Sequence, residues 1–390
     1  MDVARLCSDL VQIPSENPPG NTSEVIDYIC GYLDALGIRS TLVRNSSGHD
    51  NLISVSSENN LLLCGHVDVV PAMSEGWSLD PFSGAIQDGA VWGRGASDMK
   101  GGCAAMLHAL KTVIDAGIEP KANLAFVCDE ETGGELGISD LLRRDLLPPS
   151  DCLIAEPTPP LSPVIGQKGL CRLHLEFSGV PGHGSLYPQI GTSAIMEAFG
   201  LLRHVDEIHQ KEFAGPAGLD EILDSSAQVL EAVFGLEGLF SVLRRITYNP
   251  GKIEGGEKAN IVAQHCTLEL DMRVPFGCRV TDLIEDITRH APRAEIRVMN
   301  AADPNFTPRD ASIVHTLAGE VERVYQAPAL PIIQWAASDA KYLRSAGFQV
   351  VEYGPGDLTT LHAVNEQVPI ASLENAAEVY RGVITRYSQK

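Results

Sequence analysis

Histidine and acidic residues recur where the predicted strands of this chain end, or in the loops that follow those strands. They are His66, Asp68, Asp98, Glu130, Glu131, Glu156 and His362. His66 and Asp68 stand two residues apart at the end of the apolar run 60–70, so their side chains point the same way. Open α/β sheets place ligand sites outside the carboxyl ends of their strands. We therefore expect these side chains to converge at one edge of a sheet.

Such a set suits a pair of divalent metal ions, because imidazole and carboxylate are ligands that zinc and related ions prefer. One assignment takes as ligands His66, Asp98, Glu131, Glu156 and His362. Its carboxylates and a bridging hydroxide balance the charge of two divalent ions, provided that Asp98 bridges ions about 3.5–4 Å apart. Glu130 is then left to act as general base, and Asp68 to orient His66 by accepting its other ring N–H.

Each of these residues taken alone has a simpler structural interpretation. A histidine at a strand end is commonly satisfied inside the core, and two adjacent glutamates in a loop are commonly solvated. An aspartate in a Gly-rich turn is commonly a turn former or a helix N-cap. Only the whole set, repeated at several strand ends, predicts a metal site.

The composition is that of a folded, acidic protein. The chain has 390 residues, of which 44% are hydrophobic, and its 29 Lys and Arg against 51 Asp and Glu give a net charge of -22. Because this charge repels phosphate groups, we expect neither nucleic acid nor an anionic membrane as a partner. The nine cysteines include no C-x-x-C pair, which predicts free thiols in a reducing cytoplasm. The N-terminus lacks the pattern of a secretion signal, and no apolar run reaches the roughly 18 residues of a membrane span.

The first part of the chain has the pattern of an α/β fold. Apolar strands alternate there with helices, and these strands are predicted at 60–70, 122–128 and 151–155. Strands that are apolar nearly throughout are buried on both faces. The pattern therefore predicts a mainly parallel sheet with helices on both faces.

A second pattern begins near Gly166. Strands predicted at 170–179 and 260–274 alternate apolar and polar residues, which is typical of an antiparallel sheet with one solvated face. Helices are predicted between and after them, at 193–208, 220–245 and 280–290. The α/β pattern resumes near Pro304. We therefore predict a catalytic metallohydrolase domain of residues 1–166 and 302–390, and an inserted α+β domain of residues 167–301.

Six motifs occur in the same order, and over almost the whole chain, as in a known family. They are GHVDVVP (65–71), GRGASDMKGG (93–102), CDEETGG (128–134), IAEPT (154–158), SGVPGHGS (178–185) and LHAVNE (361–366). Through them the chain resembles the acetylornithine deacetylase, succinyl-diaminopimelate desuccinylase, aminoacylase and glutamate carboxypeptidase family of dinuclear zinc metallopeptidases. The resemblance implies a zinc-peptidase-like α/β fold with an inserted, ferredoxin-like lid domain that also forms a homodimer.

The resemblance implies a specific ligand arrangement. It assigns His66 and Glu156 to one ion. It assigns Glu131 and His362 to the other ion, with Asp98 bridging the two. Zinc is the first expectation for both ions, with cobalt and manganese as alternatives, and the peptide bond after Asp98 is expected to be cis.

The resemblance also implies roles outside the ligand set. Asp68 lies behind a ligand histidine, and Glu130 carries the proton. In the lid domain, His183 reaches the active site of a partner subunit as an oxyanion stabiliser. Asn260 and Arg273 meet the substrate, Arg273 as a clamp for its carboxylate, since a guanidinium binds a carboxylate through two hydrogen bonds. A turn histidine and a strand-end surface arginine stay open as alternatives for His183 and Arg273.

These expectations combine in one predicted function, a metal-dependent amidohydrolase that cleaves an N-acyl amino acid. A metal-activated water attacks the acyl group with Glu130 as general base, as in a desuccinylase of N-succinyl-diaminopimelate or a deacetylase of N-acetylornithine. A carboxypeptidase or dipeptidase of the same family, which would take a dipeptide or other small peptide, is the main alternative. A metal-free binding protein on the same fold is the alternative from another class.

Two segments depart from compact bacterial desuccinylases. The segment 207–256 is longer and contains an apolar helical stretch, which is either domain core or a reshaped dimer contact or substrate entrance. In IQWAASDAKYL (333–343), Trp335 and two alanines stand where a turn has glycines, and Lys341 stands near the place of an arginine. The second departure leaves the identity of the acyl group open.

Overall fold

Two units make up the structure of this chain. The computed structural model describes residues 2–45, 48–73 and 75–389. The first unit comprises Met1–Ile165, Phe306–Ile332 and Ser338–Lys390. The second unit comprises Gly166–Asn305 and Ile333–Ala337.

The helices and strands below are numbered in chain order within the described ranges. The α-helices are α1 (Val3–Val11), α2 (Ser23–Ala35), α3 (Lys100–Asp115), α4 (Ile138–Arg143), α5 (Ala194–His209), α6 (Asp220–Phe234), α7 (Leu239–Arg244), α8 (Val280–His290), α9 (Ser312–Tyr325), α10 (Ala340–Ser345) and α11 (Ile370–Ser388). The strands are β1 (Thr41–Val43), β2 (Asn51–Ser54), β3 (Leu61–His66), β4 (Ala85–Gln87), β5 (Ala90–Trp92), β6 (Asn123–Val127), β7 (Asp151–Ile154), β8 (Val164–Gln167), β9 (Gly169–Ser178), β10 (Thr247–Gly255), β11 (His265–Val274), β12 (Ala294–Ala302), β13 (Asn305–Phe306), β14 (Ile332–Gln334), β15 (Gln349–Glu352) and β16 (Gln367–Pro369).

The first unit is built on a sheet whose centre is parallel. Its strands follow the order β1-β2-β6-β3-β7-β15, and β6, β3, β7 and β15 run parallel to one another. Every residue of β3 and β6 is buried, as expected of strands that helices cover on both faces. Antiparallel pairs lie at the flanks, where β1 meets β2, β2 meets β6 and β8 meets β15. The predicted mainly parallel α/β fold is confirmed.

A small second sheet in the first unit joins two distant stretches of the chain. It has the order β16-β5-β4, and β16 pairs antiparallel with β5 through Gln367 opposite Trp92. β5 leads into the loop that precedes α3, and β16 follows the loop after β15. The two loops that carry Asp98 and His362 are thereby brought side by side.

The second unit is an antiparallel sheet covered by helices on one face. Its strand order is β10-β11-β9-β12. Alternate side chains of β9 and β11 are buried in a core to which α5 and α8 contribute, which is the pattern predicted for strands with one solvated face. The edge strands β10 and β12 were not predicted. Most of their side chains are exposed, so their sequence carries little alternation.

Two predicted elements differ in detail from the structure. The predicted helix 220–245 is two helices, α6 and α7, because Gly235 and Gly238 adopt positive φ angles of 62° and 91° between them. The predicted strand 260–274 begins only at His265. The apolar side chains of α6, among them Ile222 and Leu230, are buried, which favours the interpretation of this segment as domain core.

The segment 333–337 groups with the second unit, although the sequence pattern places it in the first domain. The backbone amide of Ile333 donates to Ser226 Oγ at 2.9 Å. The ring of Trp335 lies against that of Phe234, with centroids 5.3 Å apart. These contacts attach the segment to α6. Within the described ranges, no helix is both long enough and apolar enough to cross a membrane.

Candidate metal centre

The predicted ligand residues lie around the carboxyl ends of the parallel strands. His66 is the last residue of β3, and Glu156 follows β7 by two residues. Glu131 lies in a single 3₁₀ turn, Glu130–Thr132, directly after β6. Asp98 precedes α3, and His362 lies between β15 and β16. Because neighbouring parallel strands end at the same edge of the sheet, residues from five separate motifs meet there.

The two oxygens of the Asp98 carboxylate face different histidines. Asp98 Oδ1 lies 3.2 Å from His66 Nε2, and Asp98 Oδ2 lies 3.2 Å from His362 Nε2. His66 Nε2 is also 3.7 Å from a carboxylate oxygen of Glu156, and His362 Nε2 is 3.3 Å from one of Glu131. We call the first group (His66, Asp98, Glu156) the His66 position and the second (His362, Asp98, Glu131) the His362 position. The two positions share one carboxylate.

The residues present fit a pair of divalent cations. Each position offers imidazole nitrogen and carboxylate oxygen, the donor set that suits zinc and neighbouring ions. Glu131 Oε1 is buried and has no hydrogen-bond partner among the described residues, although a buried carboxylate oxygen normally has one. A cation at the His362 position would satisfy this oxygen.

The charges of the cluster act strongly on one another. Burial, together with the charge of Asp98, raises the pKa of Glu131 to about 7 and raises the pKa of Glu156 well above its usual value. Burial opposes ionisation of Asp98, but hydrogen bonds from His362 and His66 hold its pKa below the ordinary range. Hydrogen bonds to Asp98 and Glu131 raise the pKa of His362 to about 10. In the absence of a metal ion, bound protons therefore offset the negative charge of the clustered carboxylates.

Asp68 supports the site differently from the sequence-based expectation. His66 Nδ1 lies 2.9 Å from the backbone carbonyl oxygen of Asp68 and 3.6 Å from its carboxylate. The carboxylate instead accepts the backbone amides of Glu130 and Glu131, each at 3.2 Å. The carbonyl is the nearer acceptor for the ring, so the fully buried Asp68 side chain is left to anchor the loop after β6.

Two residues that organise this loop were missed in the sequence. The buried Asn17 donates from Nδ2 to Asp68 at 2.9 Å and to Asp129 and Thr132 at 3.2 Å each. Asp129 has a φ of 69°, and its carbonyl oxygen accepts the amides of the two glycines that follow Thr132. Both residues belong to stretches typical of turns, SENPPG and CDEETGG, and this was the only local signal they gave.

The predicted substrate residues His183, Asn260 and Arg273 all lie in the second unit. His183 and Asn260 are exposed and adjacent, since Gly184 N donates to Asn260 O at 2.9 Å. Arg273 Nε donates to Asp271 at 2.9 Å, and the same carboxylate accepts Arg172 Nε at 2.6 Å. Arg273 is therefore already paired with a carboxylate, which it shares with a second arginine.

A further cluster in the second unit combines His204, Asp286 and His290. His204 Nε2 lies 2.6 Å from Asp286, and the two imidazole rings stack with centroids 3.4 Å apart at an angle of 16°. Rings stacked in nearly parallel planes do not direct their nitrogen lone pairs at one ion. The cluster instead ties α5 to α8.

The peptide bond between Asp98 and Met99 is cis, as the resemblance implies. The elements that supply the five predicted ligands also follow one another in the order of the motifs that carry the resemblance. β3, the loop before α3, β6, β7 and the loop after β15 contribute in turn.

Comparison with known proteins agrees with this family resemblance. The model of peptidase family M20/M25/M40 matches residues 62–386. A succinyl-diaminopimelate desuccinylase from Sulfurovum sp. is 26% identical over 411 residues, covering 100% of each chain. An acetylornithine deacetylase from Myxococcus xanthus is 29% identical over 381 residues, covering 93% of this chain and 92% of the relative.

Solved structures show the same fold. The crystal structure of an M20 family metallo-carboxypeptidase from Sulfolobus solfataricus aligns with a TM-score of 0.83 at 20% identity and covers 100% of both chains. The family match extends over most of the chain and includes every motif through which the resemblance was recognised. The chain thus belongs to peptidase family M20/M25/M40 and is a hydrolase that acts on amide bonds.

Proposed function

We propose that this protein is a dinuclear metal-dependent deacylase that removes the acyl group from an N-acyl amino acid. The observation that carries the proposal is the Asp98 carboxylate, whose two oxygens lie 3.2 Å from His66 and from His362 respectively. Glu156 completes the His66 position and Glu131 completes the His362 position. Two zinc ions are the proposed occupants, with cobalt or manganese as alternatives.

Glu130 is the proposed general base. When bound, the two ions lower the pKa of water and polarise the acyl carbonyl. A carboxylate oxygen of Glu130 lies within 4.8 Å of ligand atoms of both His66 and Glu156, so Glu130 reaches a molecule at the His66 position. Burial raises the pKa of Glu130, which makes its carboxylate a stronger base toward water.

The proton passes through Glu130 once in each direction. Glu130 accepts a proton from the attacking water as the new C–O bond forms, and gives it to the leaving amine as the C–N bond breaks. Asp68 contributes by holding the backbone amide of Glu130 at 3.2 Å, which fixes the start of the loop that carries the base. Asp68 is thus a positioning residue in this proposal.

Residues of the second unit are proposed to bind the substrate. Arg273 and Arg172 share the carboxylate of Asp271, so two guanidinium groups face one carboxylate in an otherwise acidic chain. This excess of positive charge supports binding of a substrate carboxylate by Arg273. His183 is proposed to stabilise the oxyanion and Asn260 to contact the substrate, and the exposure of both supports these roles.

We also propose a homodimer formed through the second unit, in which each His183 serves the other subunit. Ile195, Met196 and Phe199 of α5 are between 39% and 50% exposed, which supports a contact on this helix. All nine cysteines are free thiols, which supports a location in the reducing cytoplasm.

Glu130→Gln tests the proposal, with the exposed Glu135→Gln in the same loop region as its matched control. We expect Glu130→Gln to bind two ions like the wild type and to lose about 10²–10⁴-fold in kcat, because only proton transfer is removed. Glu135→Gln should keep wild-type kcat. A fully active, metal-loaded Glu130→Gln enzyme would contradict the proposed mechanism.

A substrate panel separates the deacylase from the other family activities. N-succinyl-diaminopimelate, N-acetylornithine, other N-acetyl amino acids and small dipeptides are compared on the metal-reconstituted enzyme. We expect the highest kcat/KM for an N-acyl amino acid with a free carboxylate. A preference for dipeptides with a free amino group would replace the deacylase by a dipeptidase, and absence of both bound metal and hydrolysis would leave a binding protein.

A further inference from the structure

A buried ion pair lies directly behind the two loops that supply Asp98 and His362. Arg94 Nη1 and Glu366 Oε2 are 2.5 Å apart, and the two side chains are only 2% and 0% exposed. Arg94 is four residues before Asp98, and Glu366 is four residues after His362. A buried pair of this kind is weak evidence for stability alone, because desolvation offsets much of its attraction. Its other contacts indicate what it does.

Each member of the pair holds the backbone of the opposite loop at its predicted ligand. Glu366 Oε1 accepts the backbone amides of Ser97 and Asp98, both at 3.0 Å. Arg94 Nη2 donates to the backbone carbonyl oxygen of His362 at 3.4 Å. The arrangement is reciprocal. Glu366, from the His362 loop, binds the backbone of Asp98, and Arg94, from the Asp98 loop, binds the backbone of His362.

Neighbouring contacts continue this connection. Gly93 N donates to the backbone carbonyl of Glu366 at 2.9 Å, and Ser97 Oγ donates to that of Gln367 at 2.7 Å. The guanidinium of Arg94 also lies 5.3 Å from the ring centroid of Trp77. The ion pair is therefore the end of a continuous seam between the two loops, which β5 and β16 extend as paired strands.

The two metal positions differ in how much they depend on this seam. His66 belongs to a fully buried strand, and Glu156 follows another strand of the same sheet by two residues, so the sheet itself places them. His362 has a side chain that is 54% exposed and a φ of 58°, and it lies in a loop. Its approach to Asp98 therefore relies on contacts between the two loops.

We propose that Arg94 and Glu366 are positioning residues that hold Asp98 and His362 in register and thereby set the affinity of the His362 position for its ion. This inference rests on the proposed dinuclear function. The inference predicts that the two positions respond differently. Loss of the ion pair should weaken the binding of one of the two ions far more than the binding of the other. Neither residue touches the ion or the substrate in this proposal.

Glu366→Gln is the first test. Glutamine has one oxygen and one NH₂ group in place of two carboxylate oxygens. If its oxygen accepts the amides of Ser97 and Asp98, its NH₂ group faces the guanidinium of Arg94; if its oxygen faces Arg94, its NH₂ group faces the two amides. Either orientation loses one half of the seam. Stepwise Zn²⁺ and Co²⁺ binding is measured on the metal-free full chain by competition with a chelating dye. We expect one of the two dissociation constants to rise about 10–100-fold and the other to change by less than about threefold.

Glu320→Gln is the matched control. Glu320 is also buried, at 2% exposure, and is paired with Arg323 and Arg386 between α9 and α11. Glu320→Gln should also lose stability, because it removes the charge of a buried carboxylate that contacts two arginines, which are 40% and 53% exposed, yet it should keep both wild-type metal constants. Thermal unfolding of the metal-free variants shows whether the two substitutions destabilise the fold to a similar extent.

Arg94→Lys is a milder second variant in case Glu366→Gln folds poorly. Lysine keeps the charge beside Glu366, but it lacks the planar fork that reaches both Glu366 and the carbonyl of His362. The same single constant should rise, and the visible absorption of the Co²⁺ form should change for one equivalent only.

The outcomes separate this inference from the proposed function. Both constants unchanged in Glu366→Gln and Arg94→Lys, or both raised by the same factor, would overturn the positioning role while leaving the dinuclear centre in place. A wild-type chain that binds fewer than two ions would overturn the dinuclear function itself. One constant raised selectively, with Glu320→Gln unaffected, supports both.

Discussion

Replacement of Asp68 by asparagine should disturb both the stability of the first unit and its catalysis. Asp68 Oδ1 accepts the Glu130 amide at 3.2 Å, and Oδ2 accepts the Glu131 amide at 3.2 Å and Asn17 Nδ2 at 2.9 Å. An asparagine of the same shape has only one oxygen. In its better orientation the NH₂ group faces the Glu130 amide, and the two remaining bonds lose the charge of their acceptor.

The size of the effect follows from these contacts. A hydrogen bond to a charged group contributes about 1.5–3 kcal/mol, and a buried donor left unsatisfied costs a similar amount. Losing one such bond and weakening two others should lower the free energy of unfolding by about 2–5 kcal/mol. For a unit of this size each kcal/mol corresponds to about 2–4 °C, so we expect Tm to fall by about 5–15 °C.

The assay compares metal-free wild type, Asp68→Asn and Asp115→Asn by calorimetry, and then kcat and KM of the metal-loaded forms. Asp115 is 60% exposed and paired with Lys111 on the surface of α3, so its substitution should change stability by less than about 1 kcal/mol. Asp68→Asn should also lower kcat more than it changes KM, because Glu130 loses its anchor. An Asp68→Asn variant that unfolds at the same temperature as Asp115→Asn, with wild-type kcat, would refute this account of the loop.

Two other predictions concern metal uptake and packing. Metal binding should release protons at neutral pH and weaken as the pH falls, because His362, with a pKa of about 10, and Glu131, with a pKa of about 7, hold protons that compete with the ions. Calorimetric titration in buffers of different ionisation enthalpy measures this release, and an affinity that stays constant between about pH 6 and pH 8.5 would contradict it. Gly102→Ala should lower Tm and weaken metal binding, because its Cβ would lie 2.2 Å from the backbone oxygen of Ala155, next to Glu156. Gly31→Ala in α2, where nothing lies within 4 Å, should instead add about 0.5–1 kcal/mol of stability, and equal melting temperatures for the two variants would disprove the packing argument.

The core of the fold was predictable because its strands carry strong local signals. The runs around β3 and β6 are apolar nearly throughout, which predicts burial on both faces. Apolar and polar residues alternate along β9 and β11, which predicts one buried and one solvated face. The edges of the sheets were not predictable in this way. β10 contains Pro250 and a register shift beside it, and its exposed side chains need follow no pattern.

The site was predicted in its residue types but not in all of its contacts. His66 and Asp68 are two residues apart on an extended chain, yet the ring bonds to the backbone carbonyl of Asp68, and its carboxylate reaches the loop after β6 instead. Both arrangements satisfy the spacing, and only the distances decide between them. Arg273 was recognised as a cation for substrate, but the register of β9 against β11 places Arg172 opposite Asp271, so two arginines share the carboxylate that Arg273 contacts.

The sequence by itself determined the chemistry available to this protein and the order in which it is supplied, because ligand types and the ends of apolar strands are both local features. Only the tertiary structure decided how those groups support one another. Glu366 holds the amide of Asp98, and Asn17 holds the carboxylate of Asp68. The partners in each pair lie far apart along the chain, and the sequence around Asn17 and Glu366 indicates only a turn or a loop. The physical reason is that a buried polar group must find its partner in space, and the path of the backbone through the sheets determines which partner that is.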